Sequence, residues 1–325
     1  MDQQDVLQQL QAVAHRHGVP AWQVKEVTGG VANRAFVLGD HLFLRTARPG
    51  YEQDLHKESK VIPTARLAGV QTPAIVEYDS SRHLLPTPYM VTERVHGIEP
   101  LTAPVALARQ LVLLHQLDLP SSAVRDLRAA LPEVPEEEWG DPWETVEGLA
   151  QRGYVDPGTA DWLSGWFTRL AQRFDRNRPK VLIHGDVAVH NLLVDGEDNL
   201  RALIDWGDAA WAPRAMDFAK LPLTEVATLL PTYLHHTSPA YQHTKLASSI
   251  TPRSTRRLVA SRRETEAVEE LAAAILWFQL SWAVSKLPAA PWPGQRHWTA
   301  PTASRLLSIL RFFTTSPLEP WAALT

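Results

Sequence analysis

The segment Val181–Trp211, VLIHGDVAVHNLLVDGEDNLRALIDWGDAAW, sets His184, Asp186, Asn191 and Asp205 at the ends of short apolar runs. Polar groups in such places are costly unless something charged meets them. Asp186 and Asn191 are five apart, between the runs VLI and LLVD; after the turn Asp195–Asn199 the run LRALI delivers Asp205. Paired as an antiparallel hairpin, LLVD and LRALI bring Asn191 and Asp205 together and leave Asp186 on the loop before them. Two hard oxygen donors at a strand mouth suit Mg²⁺ held against phosphates. A separate carboxylate beside them can accept the proton of an attacking hydroxyl. Each residue alone reads as a turn cap or a strand end, and only the full spacing points to phosphoryl transfer.

Something must position this group. A short amphipathic helix is expected over Asp5–His17, ending at Gly18. From Val24 to about Val95 the pattern is one of strands (VKEVTGG, RAFVLGDHLFLRTA, AIVEYDSS, PYMVTERVHG), with turns at Gly39-Asp40 and Asp79-Ser80. One helix interrupts them over Glu52–Leu67, where Pro63 stands to split it. Beyond Gly97 the chain turns helical: Leu107, Leu111 and Leu114 recur at helical spacing, as do Leu163, Phe167, Leu170 and Phe174. Eleven of the twelve tryptophans follow Gly97, which marks the same change of composition. The expected architecture is α+β and bilobal, with a strand-rich lobe over 1–97, a mainly helical lobe over 98–325, and a cleft between them. Pro231–Arg257, polar and weakly periodic, is expected to be an exposed or mobile excursion.

Composition narrows the classes. A chain of 325 residues, 45% hydrophobic and 21% charged, with formal net charge −4, reads as soluble and globular. The weakly acidic balance argues against a nucleic-acid surface. With no cysteine, disulfides, thiolate metal sites and a thiol nucleophile are excluded. MDQQDVLQQLQAVAHRHG has no basic region followed by an apolar core, so no signal peptide is expected. The longest apolar run, Leu271–Val284, has 14 residues, too few for a bilayer, and reads as a buried helix. The expected setting is cytoplasmic, with no membrane or nucleic-acid partner; oligomeric state is not legible.

HGDVAVHN followed by LIDWGDA resembles the aminoglycoside phosphotransferase family, whose fold is protein-kinase-like. The likeness covers roughly Val24–Leu221. It implies that Asp186 is the catalytic base and that Asn191 and Asp205 hold Mg²⁺. APRAMDFAKL resembles the family segment ending in an Asp that buttresses the catalytic loop, here Asp217. Val189-His190 stand where the family usually has a Pro-Gly or similar pair, and His190 reads as a packing or surface substitution. The resemblance further implies a phosphate-covering loop with Gly29, Gly30 and Asn33, although a G-x-G-x-x-G pattern is absent. In HLFLRTAR, alternation puts Phe43 and Arg45 on one face, and Arg45 stands where the family offers a lysine to the phosphates. Its acidic partner is Glu58, which Leu55 and Ile62 place on the apolar helix face, or alternatively Glu52. MVTERVHG resembles the connection between lobes, where backbone groups around Glu93–Val95 would hold the purine of ATP or GTP.

The resemblance implies an acceptor that is a small molecule bearing a hydroxyl. Glu133, Glu136, Glu137, Glu138, Asp141, Glu144 and Glu147 form an acidic run without Lys or Arg, either a solvated face or a field that draws a cationic acceptor. Trp139 and Trp143 within it offer flat apolar surface, while Trp277 reads as core. Arg253, Arg256, Arg257, Arg262 and Arg263 pull the other way, toward an anionic acceptor, or form a basic exposed helix. The expected activity is transfer of the γ-phosphoryl group of ATP or GTP to an antibiotic-like acceptor of aminoglycoside or macrolide type. The rivals are a metabolite kinase acting on a sugar, amino acid or amino alcohol, and a catalytically silent nucleotide-binding protein.

Overall fold

Five short strands build a sheet from the first third of the chain. They are β1 (Val24–Val27), β2 (Asn33–Leu38), β3 (Leu42–Ala47), β4 (Ile75–Asp79) and β5 (Tyr89–Glu93). All pairings are antiparallel and the order is β1-β2-β3-β5-β4. The computed structural model describes residues 3–27, 32–131, 133, 141–176, 178–237, 262–290, 302–315 and 319–324. One sheet face, with Phe36, Leu38, Leu44, Tyr89 and Val91, packs on Leu10, Val13 and Ala14 of α1 (Gln3–Arg16). The period-2 alternation of β3 turns Arg45 to the opposite face.

That opposite face is covered by α2 (Glu52–Leu67), which buries Leu55, Glu58, Val61, Ile62 and Ala65. Its acidic first turn (Glu52, Asp54) and Arg66 in the last turn suit the helix dipole. Pro63 lies inside the helix without splitting it. The position is exposed, so the carbonyl that loses its intrahelical donor can turn to water. The apolar residues of α2 belong to the same core as the helical part of the chain, including Leu107, Leu111, Phe167 and Trp277. The sheet-rich and helical regions are therefore joined through α2.

The helical part comprises, among the described residues, α3 (Ala106–Gln116), α4 (Ser121–Ala130), α5 (Pro142–Gln151), α6 (Pro157–Ala171), α7 (Leu223–Thr237), α8 (Arg262–Ser285) and α9 (Thr302–Thr315). Asp141 and Asp156 cap α5 and α6 through backbone N–H groups, each with proline opening the helix. Helix α8 is longer than the apolar run suggests. Ala267–Ser285 is long and apolar enough to cross a membrane by length and composition, but 72% of that window is buried inside the protein, as expected of a core helix. The expected excursion is corrected at its start: Pro231–Thr237 continues α7, because Leu229, Leu230 and Tyr233 bury on one face. Residues 238–261 lie outside the described residues. Two small antiparallel pairs carry the opening motif: β6 (Val181–Ile183) with β9 (Ala210–Ala212), and β7 (Leu192–Val194) with β8 (Leu200–Leu203).

Replacing the exposed Pro63 by Ala restores an intrahelical donor, and should stabilise the protein by about 1–3 kcal/mol. Urea denaturation checks this; unchanged or lower stability would show that the proline is favourable where it stands.

Candidate active site

The loop between β6 and β7 is fixed by its backbone before any side chain acts. Gly185 has φ +81°, and a Cβ there would lie 2.2 Å from the Asp208 carbonyl oxygen, so only glycine fits. The buried Asp217 carboxylate accepts from His184 N at 3.0 Å and from Gly185 N at 2.8 Å. His115 Nε2 donates to the same carboxylate at 2.9 Å, and Tyr233 Oη lies 2.8 Å from His115 Nδ1. Burial pushes the Tyr233 phenol up to about 12, so its hydroxyl keeps its proton and donates. Asp217 thus holds the loop, as expected.

The His184 ring ties this loop to the next. Its Nε2 donates to Ile204 O at 3.0 Å, and its Nδ1 accepts from Asp186 N at 3.3 Å, which sets the neutral tautomer. The ring lies 4.6 Å from that of Trp206, whose Nε1 donates to Thr72 Oγ1 at 2.9 Å.

Asn191 Nδ2 donates both to Asp186 O and to Asp186 Oδ2, each at 2.8 Å. Ile204 N donates to Asn191 O at 2.9 Å, so the β7–β8 pairing brings Asp205 beside Asn191. Burial alone would raise the Asp186 carboxyl. His190, with Nε2 3.4 Å from Oδ2, and Lys220, 2.6 Å from Oδ1, outweigh it and hold Asp186 well below the usual carboxylate range. His190, read from the sequence as a packing or surface substitution, is thus a neighbour of the Asp186 carboxylate. Lys220 escaped the sequence reading; its one signal is that it is a lone lysine in the apolar stretch FAKLPL, where a cation wants a carboxylate, and the spacing of the motif does not reach it.

On the sheet side, Arg45 Nη1 donates to Glu58 Oε1 at 2.8 Å, and Nη2 donates to Glu58 Oε2. The fork is bidentate, and it settles the choice between carboxylates: Glu52 instead accepts from Gly50 N at 2.9 Å at the start of its own helix. Burial pulls the Arg45 guanidinium down, but Glu58 more than restores it, so the cation persists. Arg45 Nη1 also lies 3.7 Å from Asp205 Oδ1. Asp205 takes φ +65°, a left-handed conformation that Asp tolerates better than most residues, and its side chain is 55% exposed.

Asn33 opens β2 opposite Ala47, on the same sheet face as Arg45. It is buried, and its Oδ1 has no partner among the described residues. Gly29 and Gly30 lie outside the described residues. Glu93 ends β5 and is engaged by Ala74, whose carbonyl accepts from Glu93 N at 2.9 Å. Val95 follows in the segment leaving the sheet. Asp186 and Asn191 are joined directly, as are Asp205, Arg45 and Glu58, and the Ile204 N to Asn191 O hydrogen bond connects the two groups, whereas Asn33, Glu93 and Val95 stand apart from that network.

With its amide nitrogen given to Asp186, Asn191 keeps Oδ1 as its acceptor, and Asp205 adds an exposed carboxylate. These hard oxygens fit Mg²⁺, which takes one or two protein carboxylates and completes its shell with phosphate and water. No cluster of three or more His, Asp or Glu suited to a metal occurs among the described residues, so a cage built wholly from such side chains does not fit.

A cavity of about 400 Å³ opens beside Lys220, the partner of Asp186. Ala188, Val189, Lys220, Glu225, Trp282 and Arg305 are among its walls. Glu225 accepts from Ala103 N at 3.0 Å, and burial pushes its carboxyl up. The described part of the acidic run does not reach this cavity. Glu133 Oε2 accepts from Lys180 Nζ at 3.1 Å, and Trp143 packs edge-on against Phe167 and Trp277. Trp143, one of the two tryptophans expected to offer flat apolar surface, is partly buried against the core and does not line this cavity. Glu136, Glu137, Glu138, Trp139, Arg253, Arg256 and Arg257, and the side chains of Arg262 and Arg263, lie outside what the structure describes.

The model of the phosphotransferase enzyme family matches residues 23–247. Among solved structures, a mutant aminoglycoside 2'-phosphotransferase-IIIa in its GDP complex aligns over 89% of this chain and 92% of its own, with TM-score 0.60 and 17% identity. Macrolide 2'-phosphotransferase type I aligns over 92% and 96%, with TM-score 0.55 and 20% identity. An ethanolamine kinase of Plasmodium vivax aligns over 91% and 85%, with TM-score 0.51 and 16% identity. These likenesses establish the kinase-like fold. No curated protein matches the sequence.

Asp217→Ala would leave the His184 and Gly185 N–H groups and His115 without their acceptor in a buried place. Removing one member of such a group costs about 3–5 kcal/mol. Denaturant unfolding checks the loss; a change below about 1 kcal/mol would mean that water replaces the carboxylate.

Proposed function

The chain belongs to the phosphotransferase enzyme family, and from that premise we propose that it moves the γ-phosphoryl group of ATP or GTP to a hydroxyl of an antibiotic-like acceptor in the cavity beside Lys220. The observation that carries this reading is the continuous contact from the cavity to the sheet. Lys220 lines the cavity and donates to Asp186 at 2.6 Å, Asn191 donates to Asp186 at 2.8 Å, Ile204 N donates to Asn191 O at 2.9 Å, and the next residue, Asp205, lies 3.7 Å from Arg45. An acceptor on one side and a triphosphate on the other would meet at Asp186.

In this reading the acceptor oxygen attacks the γ-phosphorus as the bond to the β–γ bridging oxygen breaks. Asp186 takes the hydroxyl proton, and the nucleoside diphosphate leaves. A carboxylate held so acidic is a weak base toward a free hydroxyl. It serves as a hydrogen-bond acceptor that aims the oxygen, and it receives the proton as the new O–P bond forms, which suits a loose transition state. Asn191 and Asp205 would hold Mg²⁺, whose chemistry when bound is to offset phosphate charge. Arg45 offers its guanidinium to the donor phosphates while Glu58 keeps it in place, and Asn33 shares that sheet face. The purine would lie by Glu93–Val95. Glu225 in the cavity wall supports an acceptor with a cationic group or a hydroxyl donor. A small metabolite alcohol is the second reading, favoured by the fold likeness to an ethanolamine kinase.

Asp186→Asn should lower turnover about 10²–10⁴-fold while nucleotide binding by calorimetry persists; turnover within about threefold of wild type would sink the base assignment. Asp205→Ala should abolish the Mg²⁺ dependence of nucleotide affinity, and unchanged Mg²⁺–ATP and Mg²⁺–GTP titrations would place the metal elsewhere. Arg45→Lys should raise the nucleotide KM less than Arg45→Ala, because a point charge keeps the attraction and loses only the fork. Equal wild-type values for both would make Arg45 purely structural.

A further inference from the structure

Lys220 follows the short turn Arg214–Phe218 that carries Asp217. Its Nζ donates to Asp186 Oδ1 at 2.6 Å and lies 3.6 Å from Asp208 Oδ2. Its carbonyl accepts from Arg305 Nη2 of α9 at 2.5 Å, so its backbone is tied to the far wall of the cavity. Only 22% of the side chain is exposed, and it forms part of the cavity wall. Burial pulls the ammonium down, while Asp186 and Asp208 more than restore it, so the lysine remains a cation.

These contacts sort the two oxygens of Asp186. Oδ2 faces inward, where it accepts from Asn191 Nδ2 at 2.8 Å and lies 3.4 Å from His190 Nε2. Oδ1 is bonded to a residue of the cavity wall. An ionised carboxylate oxygen has room for about two donors. With one taken by Lys220, Oδ1 retains a place for an acceptor hydroxyl.

We propose that Lys220 is a positioning residue of the transfer: its ammonium turns Asp186 Oδ1 toward the cavity and holds the carboxylate in the rotamer that an acceptor hydroxyl meets. Without it, the carboxylate rotates onto Asn191 and His190, and the proton of the attacking hydroxyl has no oriented acceptor. The inference rests on the reading of Asp186 as base. It differs from that reading in assigning a function to a residue outside the H-G-D and I-D-W motifs.

The test uses full-length Lys220→Met and Lys220→Gln, each also in an Asp186→Asn background. Phosphate release from Mg²⁺–ATP and Mg²⁺–GTP, with water as the acceptor, gives kcat and the nucleotide KM, and thermal unfolding is followed in parallel. In the native background kcat should fall about 10–100-fold, part of what a general base contributes, with the nucleotide KM within about threefold. In the Asp186→Asn background the same change should cost nothing further, because residues that act as a unit are not additive. A kcat within about threefold of wild type, or an equal loss in both backgrounds, overturns the proposal. Lys220→Arg keeps the cation and should recover part of the turnover even if the neutral variants fold poorly; a loss as large as that of Lys220→Gln overturns it too. If Asp186→Asn alone leaves turnover intact, the reading of Asp186 itself fails, which the single variant reveals directly.

Discussion

A buried carboxylate holds this site in place. Asp217 is 1% exposed, and a charge so removed from water persists only when its lone pairs are filled. Here the donors are two successive loop N–H groups and the His115 imidazole, itself fixed by Tyr233. The arrangement works in both directions. The loop gives the carboxylate its hydrogen bonds, and the carboxylate fixes the strained turn at Gly185 from which His184 and Asp186 project. Helices α3 and α7 supply His115 and Tyr233, so the loop inherits the rigidity of the helical core.

The second constraint joins the sheet to that loop. Helix α2 lies on the sheet through Leu55 and Ile62, and its Glu58 receives both arms of Arg45. The same helix sends Lys57 to Gly207 O at 2.6 Å, two residues past Asp205. Trp206 reaches back to Thr72 just beyond α2. Arg45 and Asp205, the residues proposed to meet the phosphates and the metal, are thus referenced to one helix. Any motion of α2 relative to the helical core would change the Arg45–Asp205 distance, which connects the local packing of Leu55 and Ile62 to function.

Much of this was legible in the sequence because it is local. The D-x-x-x-x-N spacing, the turn at Asp195–Asn199 and the apolar runs on either side determine where Asn191 and Asp205 meet. The choice of Glu58 followed from helix periodicity, since a carboxylate between Leu55 and Ile62 must face inward. The contacts that escaped are long-range. Lys220, His115 and Tyr233 come to the loop from 30 or more residues away, and nothing in their neighbours' spacing announces the partner. Charge density along a chain does not say which face the acidic run lines: of its described members, Glu133 pairs with Lys180, and Trp143 packs against the core. Beyond the loop residues Ala188 and Val189 and the stretch 219–222, the cavity walls come mainly from α7, α8 and α9, whose sequences read only as generic helices.

The central claim is that a phosphoryl group passes from a nucleotide to an acceptor oxygen beside Asp186. ³¹P NMR of the purified protein with Mg²⁺–ATP or Mg²⁺–GTP and a panel of aminoglycosides, macrolides, sugars and amino alcohols tests it directly. The account requires a new phosphomonoester resonance, coupled to a carbinol proton of one acceptor, growing in step with the nucleoside diphosphate. Nucleotide that binds yet stays intact with every acceptor, or that yields inorganic phosphate alone throughout, would contradict it.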